Sequence, residues 1–412
     1  MPVVRQTAAE TAEATGRRRP SFHTLTVAEV RRLTEDAIEV TFAVPAELAG
    51  HFDYLPGQYV ALRTTLPDET GEPKEIRRSY SICAEPRSFQ DGSSEIRVAI
   101  KKDLGGLFST WANAELKAGD TLEVMSPMGA FVSKHGRDGQ AVEQNVMSSM
   151  NRPQEMAGDL AGEPGNFVAI AAGSGITPVI AIARTLLAAN PDTRFDLIYA
   201  NKAAMDVMFL EELADLKDKY PQRLALHHVL SREQRIAPLL SGRIDAEKLQ
   251  KLLGTAIHAD DVDEWFLCGP FELVQLCRDH LAERGVKAEH IRFELFTSGK
   301  PDRPEGNAGR PVVEDESKET YKITFKLDGL QGDITSPTHA RESILNAALR
   351  VRPDVPFACA GGVCGTCRAK VVTGTVTMDE NYALEQDELD KGYVLTCQSH
   401  PTSKEVTVDF DV

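Results

Sequence analysis

Short stretches of alternating apolar and polar residues fill the first third of the chain. Between residues 22 and 132, six segments are rich in β-branched residues: TLTVAEV, IEVTFAV, QYVALRTT, RSYSI, EIRVAIK and TLEVMSP. Turn signals such as Pro56-Gly57, Gly119-Asp120 and Met128-Gly129 separate them. Several short strands at this spacing predict an antiparallel β-barrel or sandwich over residues 21–132.

Longer apolar runs alternate with helical patterns between residues 166 and 297. The segments FVAIAAG, FDLIYAN, LALHHVLS, EWFLCG and HIRFELF predict strands, and the stretches between them show helical spacing, as in ITPVIAIARTLLAA. Strands that are almost continuously apolar and alternate with helices are typical of a parallel sheet covered on both faces. We therefore expect a doubly wound α/β domain over residues 166–297.

The remaining segments differ from these two blocks in composition. Residues 1–20 predict a disordered tail, although the scarcity of acidic residues there would also suit a transit peptide. Residues 133–165 lack a sustained period and predict a mobile insertion, since loops of that length are uncommon inside compact domains. Residues 298–318 are polar and rich in proline and glycine, which indicates a linker. A small α+β domain is expected over residues 319–412.

Charge and hydropathy exclude several classes of protein. The 412 residues include 46 Lys and Arg against 62 Asp and Glu, a net charge of −16. Such a chain would be repelled by nucleic acid and by anionic membranes, so we expect neither as a partner. No run of about 18 apolar residues predicts a membrane-spanning helix. The first residues have no apolar core of the kind that a secretory signal needs, and a cytoplasmic location is therefore expected.

Four of the seven cysteines crowd into the last part of the chain. They follow the spacing Cys359-x4-Cys364-x2-Cys367, and Cys397 comes after 29 further residues. Thiolates hold iron–sulfur clusters, and this is the plant-type [2Fe–2S] spacing. The alternative is a zinc site, but zinc sites favour two C-x2-C pairs. The spacing predicts that these four residues hold one [2Fe–2S] cluster; Cys83 and Cys277 are expected to be buried core residues.

Two motifs in the first block suit a flavin. In Arg78-Ser79-Tyr80-Ser81, the cation suits a pyrophosphate, Tyr80 suits the ring face, and Ser81 suits a hydrogen bond near flavin N5. An ordinary amphipathic strand is the alternative. The second motif is a glycine-rich turn that enters a helix, where free backbone N–H groups can bind phosphate. Its candidate FAD-binding residues are Gly106, Leu107, Phe108 and Ser109.

Two further turns resemble the nucleotide loops of the ferredoxin–NADP reductase family. The first contains Gly173, Gly175, Thr177 and Pro178, and it departs from the G-x-G-x-x-G fingerprint because proline stands at the third glycine position. The second is Cys268-Gly269-Pro270. The resemblance implies that Cys268 lies beside the nicotinamide; the alternative is a buried core cysteine. The same resemblance makes Ser81, Thr177, Cys268 and Phe296 the candidate catalytic residues, with Glu294 a weaker candidate.

The coenzyme is expected to be NADPH rather than NADH. A binder of the ribose 2′-hydroxyl would carry an acidic residue at the end of the second α/β strand. Asn201-Lys202 stands there instead, and Ser231-Arg232 follows the third strand. Lys202, Ser231 and Arg232 are therefore candidates for the 2′-phosphate, although Lys202 and Arg232 also suit a solvated surface.

In detail, the sequence of the chain resembles the reductase subunits of bacterial phenylacetyl-CoA epoxidases. Matching stretches include FHTLTVAEV, AAGSGITP, LADLKDKYPQRL, GRIDAEKL and TMDENYALEQDELDKGYVLTCQ. The resemblance implies an FAD-binding barrel, an NADP-binding α/β domain and a β-grasp [2Fe–2S] ferredoxin domain.

This resemblance also implies an activity. The enzyme would be an NAD(P)H-dependent flavin and iron–sulfur oxidoreductase that passes electrons to a di-iron oxygenase in phenylacetate degradation. One alternative is the reductase of a Rieske-type steroid or aromatic-ring oxygenase, which would share all the cofactor motifs. An alternative of another class is a redox sensor or scaffold.

Overall fold

The chain, described here from a computed structural model, divides into two compact units. One comprises Phe22–Ile76 and Tyr80–Lys300, and the other comprises Met1–Ser21, Arg77–Ser79 and Pro301–Val412. The structure describes the following residues: 4–6, 21–67, 71–103, 106–129, 131–135, 162–255, 257, 261–296, 312, 319–327, 329–352, 355–357, 362, 365–379, 381, 383–384 and 386–411.

An antiparallel barrel opens the larger unit. Its strands are β2 (Phe22–Thr34), β3 (Ala37–Val44), β4 (Tyr59–Pro67), β5 (Pro73–Ser81), β6 (Ser94–Lys101) and β7 (Thr121–Met125). They pair in the order β5-β4-β7-β2-β3-β6. A bridge between Ile82 and Val98 joins the end of β5 to β6, the other edge strand, and so closes the sheet. Alternate positions point inward, and Phe42, Phe52 and Phe108 fill the core.

A five-stranded parallel sheet forms the second part of this unit, as the continuous apolar runs predict. Its strands are β8 (Asn166–Ala172), β9 (Arg194–Asn201), β10 (Leu224–Leu230), β11 (Glu264–Gly269) and β12 (Ile291–Leu295). The helices of this part and the one in the barrel are α1 (Leu107–Glu115), α2 (Ile176–Ala189), α3 (Leu210–Lys219), α4 (Ala246–Thr255) and α5 (Phe271–Glu283). The strand order is β10-β9-β8-β11-β12, with all neighbours parallel.

Burial on both faces explains why these strands read as apolar runs. In β9, Phe195, Leu197 and Tyr199 pack into one core cluster, whereas Ile198 packs into another on the opposite face. The order of strands reverses at β8, because β9 lies on one side of it and β11 on the other. Ligands of such sheets bind outside the carboxyl ends of the strands at this reversal.

The smaller unit has the mixed sheet of a β-grasp domain. Its elements are β13 (Thr320–Leu327), β14 (Leu330–Pro337), α6 (Ile344–Leu349), β15 (Arg368–Thr373), β16 (Val376–Met378), α7 (Gln386–Asp390), β17 (Tyr393–Leu395), β18 (Ser399–Pro401) and β19 (Glu405–Asp409). The main sheet has the order β14-β13-β19-β15-β17, in which β13 and β19 are parallel. Helix α6 packs its buried face against this sheet.

Two expectations drawn from the sequence need correction. Within the expected tail, Val4–Gln6 form strand β1, which pairs with β16 in parallel and gives that short strand a second neighbour. The other residues of 1–20 lie outside the described residues. The expected insertion does not begin at residue 133, because Ser133 is buried and donates a hydrogen bond to Glu264.

Both ends of this segment are fastened at the start of β11. The amide of Lys134 donates to Glu264 Oε2 at 3.1 Å, and the amide of Asn166 donates to Asp263 Oδ2 at 2.8 Å. Residues 136–161 between them, like nearly all of 298–318, lie outside the described part of the chain. Among the described residues, no helix is both long and apolar enough to cross a membrane.

Candidate functional site

Aromatic packing brings the two predicted flavin motifs together. Tyr80 lies on β5, and its ring centroid is 5.7 Å from that of Phe108 in the first turn of α1. Arg78 is exposed, and its Nη1 donates to the carbonyl of Arg77 at 2.7 Å. A cation and a half-buried aromatic ring thus stand two residues apart on the same strand.

The glycine-rich turn before α1 leaves backbone donors available. A Cβ on Gly106 would lie 2.6 Å from Ser109 Oγ, so the turn has no room for a side chain. The first helical hydrogen bond runs from the Thr110 amide to the Gly106 carbonyl at 3.0 Å. The amides of Leu107, Phe108 and Ser109 therefore have no acceptor within the helix, which is the arrangement that binds phosphate.

Glycine is also required where β8 turns into α2. Gly173 has a φ of 54°, and a Cβ on Gly175 would lie 2.2 Å from the carbonyl oxygen of Cys268. This close approach sets the first nucleotide turn directly against the second. Thr177 is buried and its Oγ1 donates to the Ser174 carbonyl at 3.0 Å, so it stabilises the turn; Pro178 is buried beside it.

The ends of β11 and β12 meet the end of β5. Cys268 on β11 is the register partner of Glu294 on β12. Ser81 Oγ donates to Glu294 Oε2 at 3.2 Å, and the amide of Phe296 donates to the Gly269 carbonyl at 2.9 Å. The structure therefore brings Ser81, Cys268 and Phe296 together, with the carboxyl of Glu294 between Ser81 and Cys268.

Burial sets the protonation states of the Cys268 thiol and the Glu294 carboxyl. Cys268 is fully buried, and desolvation, helped by the nearby Glu294, raises the pKa of its thiol well above the ordinary range. Burial also raises the pKa of Glu294 to about 7. Cys268 is thus a neutral thiol packed in the apolar core, and its placement beside the nicotinamide stays a prediction.

The candidate 2′-phosphate residues lie at the same edge of the parallel sheet. Lys202 and Arg232 are exposed, and Ser231 is half-buried. The amide of Ser231 donates to the Asn201 carbonyl at 2.9 Å, which extends the pairing of β9 and β10 beyond the strands. On the other side of the reversal, Pro270 precedes α5 as its N-cap.

Two of the four predicted cluster ligands belong to the described residues. Cys367 and Cys397 are each 2% exposed and come from segments that pair across β15 and β17. The Thr396 amide and Oγ1 both donate to the Cys367 carbonyl, at 3.2 and 2.9 Å. Two thiol donors from distant parts of the sequence are thereby brought together, which fits an iron–sulfur cluster. Cys359 and Cys364 lie outside the described residues.

A buried polar atom supports the fit of a flavin. Ser79 lies between Arg78 and Tyr80, and its Oγ is buried with no hydrogen-bond partner among the described residues. Buried hydroxyls are usually hydrogen-bonded, so this one points to a partner outside the polypeptide. The Ser79 hydroxyl therefore suits a polar atom of a bound ligand.

Sequence reasoning missed three polar groups that shape this unit: Tyr199, Glu233 and Glu264. Tyr199 is fully buried and its hydroxyl donates to the Gly173 carbonyl at 2.9 Å. Glu233 accepts a hydrogen bond from the Ala204 amide at 2.6 Å. Each is a single polar residue within an ordinary strand or loop pattern, so no periodicity or spacing marks it.

The domain comparisons agree with this architecture. Residues 24–132 match an oxidoreductase FAD-binding domain, residues 169–279 an oxidoreductase NAD-binding domain, and residues 328–402 a 2Fe-2S iron-sulfur cluster binding domain. The chain is 42% identical to one of the subunits of the 1,2-phenylacetyl-CoA epoxidase of Escherichia coli, over 95% of this chain and 98% of the relative. The chain belongs to the family of FAD- and [2Fe–2S]-containing oxygenase reductases.

One further relative supports membership of this reductase family, and one solved structure shows the fold. The ferredoxin reductase component of 3-ketosteroid-9-alpha-monooxygenase from Rhodococcus rhodochrous is 30% identical, over 94% of this chain and 96% of the relative. The FAD/NAD-binding domain of a nitric oxide dioxygenase from Vibrio cholerae has a TM-score of 0.51 at 24% identity and covers 67% of this chain and 98% of its own. The structural likeness shows the shared fold alone. The reductase thus combines FAD, a nicotinamide coenzyme and a [2Fe–2S] cluster.

Replacing Tyr199 with phenylalanine is expected to weaken coenzyme binding by the reductase. The change removes the hydroxyl that donates to the Gly173 carbonyl and leaves the rest of the packing in place. One such hydrogen bond is worth about 1 kcal/mol, so KM for the nicotinamide coenzyme should rise about fivefold while kcat changes less than about twofold. Steady-state kinetics measure this. Tyr220→Phe, on the same α/β domain, is the control; an unchanged KM for Tyr199→Phe would contradict the prediction.

Proposed function

We propose that this reductase passes electrons from NADPH, through FAD and its [2Fe–2S] cluster, to a di-iron oxygenase that epoxidises the ring of phenylacetyl-CoA. The observation that carries the proposal is the 42% identity to a component of that epoxidase, which extends over nearly the full length of both chains. The electron transfer would take place in the cytoplasm. The reductase itself would not need to contact the aromatic substrate.

The barrel supplies the proposed flavin contacts. Arg78 would neutralise the FAD pyrophosphate, and the free amides at the start of α1 would donate to it. Tyr80 would lie against the ring and Ser81 would hydrogen-bond near N5. Phe296, which is half-buried beside Gly269, would cover the ring from the nucleotide side.

The parallel sheet supplies the proposed coenzyme contacts. The turns at Gly173–Gly175 and Cys268-Gly269-Pro270 pack directly against each other, because Gly175 has no side chain. The glycines would let the nicotinamide approach the backbone of both turns. Lys202, Ser231 and Arg232 would bind the 2′-phosphate. No acidic residue ends β9, where Asn201 stands. These features support NADPH over NADH.

The cluster would be held by Cys359, Cys364, Cys367 and Cys397. FAD, when bound, supplies the exchange between two-electron hydride chemistry and the one-electron chemistry of the cluster. The protein's part is to orient these groups and to exclude water from the reacting edge. Full burial of Cys268 and near-complete burial of Ser81 and Thr177 support such a role in excluding water.

The two relatives suggest two oxygenase partners, and reconstitution separates them. The reductase would be mixed with NADPH, the di-iron oxygenase of phenylacetyl-CoA epoxidase and phenylacetyl-CoA, and NADPH use would be compared with substrate loss. Parallel reactions would contain a Rieske-type 3-ketosteroid oxygenase and its steroid. Coupled turnover only in the first mixture is the expected result. Coupling only in the second would overturn the proposed partner while leaving the cofactor assignments in place.

Glu294 should make coenzyme oxidation dependent on pH near neutrality. With a pKa raised to about 7, its carboxyl is neutral below that pH and ionised above it. The ionised form accepts a hydrogen bond from the Ser81 hydroxyl at 3.2 Å, whereas the neutral form would leave Ser81 available to hydrogen-bond the flavin. NADPH oxidation with ferricyanide should therefore be about fivefold faster below pH 7 than above it, as expected for one hydrogen bond of about 1 kcal/mol.

Two variants test this assignment. Glu294→Gln should flatten the pH profile between pH 6 and 8. Glu289→Gln, which changes an exposed carboxylate near the start of the same strand, should leave the profile intact. A profile that persists in Glu294→Gln would mean that another group titrates.

A further inference from the structure

Two loops at the carboxyl edge of the parallel sheet each carry an exposed cation. Lys202 follows β9 and Arg232 follows β10. In the part of the chain that the structure describes, neither side chain forms an ion pair or a hydrogen bond. Their charges are therefore available to a bound anion.

Backbone hydrogen bonds align these two loops. The amide of Arg232 donates to the Lys202 carbonyl at 2.7 Å and continues the parallel pairing of the two strands. Neighbouring strands lie about 4.8 Å apart, so two long side chains that leave such a pair can reach the same phosphate group. This backbone pairing ends at Lys202 and Arg232, because the loop after β9 then forms the 3-10 helix Ala204–Asp206.

Side-chain carboxylates fasten the loops beyond that point. Glu233 Oε1 accepts from the Ala204 amide at 2.6 Å and so connects the second loop to the first. Asp206 Oδ2 accepts from the Ala203 amide at 3.0 Å within the first loop. Both amides that follow Lys202 are thus engaged by protein carboxylates, and a coenzyme phosphate would have to bind the side chains of Lys202 and Arg232 instead.

We propose that Glu233 is a positioning residue for coenzyme discrimination. By holding Ala204, it fixes the loop that carries Lys202 beside Arg232, so that both cations act on one ribose 2′-phosphate. The inference rests on the proposed function, in which these cations select NADPH. Glu233 does not touch the coenzyme; it acts through the position of Lys202.

The charge and the hydrogen bond of Glu233 have opposite effects, and two substitutions separate them. Its negative charge, next to two cations, weakens the attraction for a phosphate. Its acceptor oxygen holds the loop. Glu233→Gln keeps an acceptor and removes the charge, whereas Glu233→Ala removes both.

The probes are adenosine 2′,5′-bisphosphate and 5′-AMP, whose binding to the full-length protein is measured by titration calorimetry. Glu233→Ala should weaken binding of the bisphosphate about five- to tenfold, as expected for loss of one charge-assisted hydrogen bond. Glu233→Gln should bind it as tightly as the unchanged protein or more tightly. Binding of 5′-AMP should change less than about twofold in both variants, because 5′-AMP has no 2′-phosphate.

Three results would overturn the inference: equal weakening in both variants, parallel loss of 5′-AMP binding, or unchanged bisphosphate binding in Glu233→Ala. The unchanged protein tests the proposed coenzyme separately. If it binds the bisphosphate no more tightly than 5′-AMP, the proposed preference for NADPH fails and the inference fails with it. If it discriminates between the probes and Glu233→Ala discriminates equally well, only the inference fails.

Discussion

A Glu264→Ala variant is expected to lose about 3–5 kcal/mol of folding stability in the unit that contains the barrel and the parallel sheet. Glu264 is 2% exposed at the start of β11. Its carboxylate accepts from Ser133 Oγ, from the Lys134 amide at 3.1 Å and from Arg292 Nη2 at 3.2 Å. His135 Nδ1 lies 3.4 Å from the same carboxylate.

The loss should be large because Arg292 would remain buried without its counter-charge. Among the described residues it would keep two carbonyl acceptors, those of Glu289 at 2.8 Å and Val132 at 3.4 Å. Replacing both members of the pair, as in Glu264→Leu with Arg292→Met, should cost much less, since paired burial of two charges brings little net stability.

Urea unfolding followed by tryptophan fluorescence tests this expectation. Trp265 is fully buried beside Glu264, and a Trp111→Phe background leaves it as the reporter. The matched control is Glu247→Ala, which removes a carboxylate that is 76% exposed and paired with Lys251. Exposed pairs contribute at most about 1 kcal/mol, so the control should unfold almost as the unchanged chain does. Equal losses in both variants would contradict the argument.

The same carboxylate should make the unit sensitive to acid. Burial works to raise the pKa of Glu264, but hydrogen bonds from His135 and Ser133 and the charge of Arg292 lower it below the ordinary value. A lowered folded-state pKa contributes stability that is complete above the unfolded value of about 4.3 and is lost as the pH falls below it. Glu264→Gln, although less stable at neutral pH, should therefore show a smaller loss between pH 5 and 3.

Cys367→Ser is expected to abolish electron transfer to the oxygenase while sparing the flavin reaction. The substitution replaces a thiolate donor with a hydroxyl that binds iron poorly. Transfer to the oxygenase should fall by more than about 100-fold, beyond what loss of a supporting group around a metal ligand usually costs. NADPH–ferricyanide activity should stay within about twofold, because the barrel and the parallel sheet form a separate unit.

Visible absorbance and iron content of the purified variant provide readouts independent of activity. Cys277→Ser is the matched control, since Cys277 is also buried and burial raises the pKa of its thiol to about 12. It packs in the apolar core between α4, α5 and the sheet, so its replacement should leave iron content unchanged. A Cys367→Ser protein with full iron content would contradict the assignment of this residue as a ligand.

The sequence predicts what depends on repeated patterns. Alternation of apolar residues predicted the barrel, continuous apolar runs predicted the parallel sheet, and cysteine spacing predicted the cluster. The motif also marked Gly175 as a position that needs glycine, although its close approach to the Cys268 carbonyl is seen only in the structure. Such features recur along the chain or repeat a known spacing.

What the sequence could not predict depends on single long-range contacts. Glu264 begins an apolar strand and reads as a surface residue, yet it is buried against groups 28 to 131 positions away. Tyr199 reads as one more strand residue, although its hydroxyl fixes Gly173. The pairing of Val4–Gln6 with β16 joins the first residues of the chain to a strand of the ferredoxin domain, which no local pattern encodes.

Lys134 and Asn166, which flank residues 136–161 on either side, are attached at Glu264 and Asp263, and this has a consequence for how the chain can change in length. These anchors lie at the amino edge of the parallel sheet, and the proposed coenzyme-binding residues lie at its carboxyl edge. Where two points of a chain are already held together, doubling the number of residues between them costs only about 0.6 kcal/mol. We therefore expect that a change in the length of residues 136–161 would alter folding stability little and leave coenzyme oxidation unchanged.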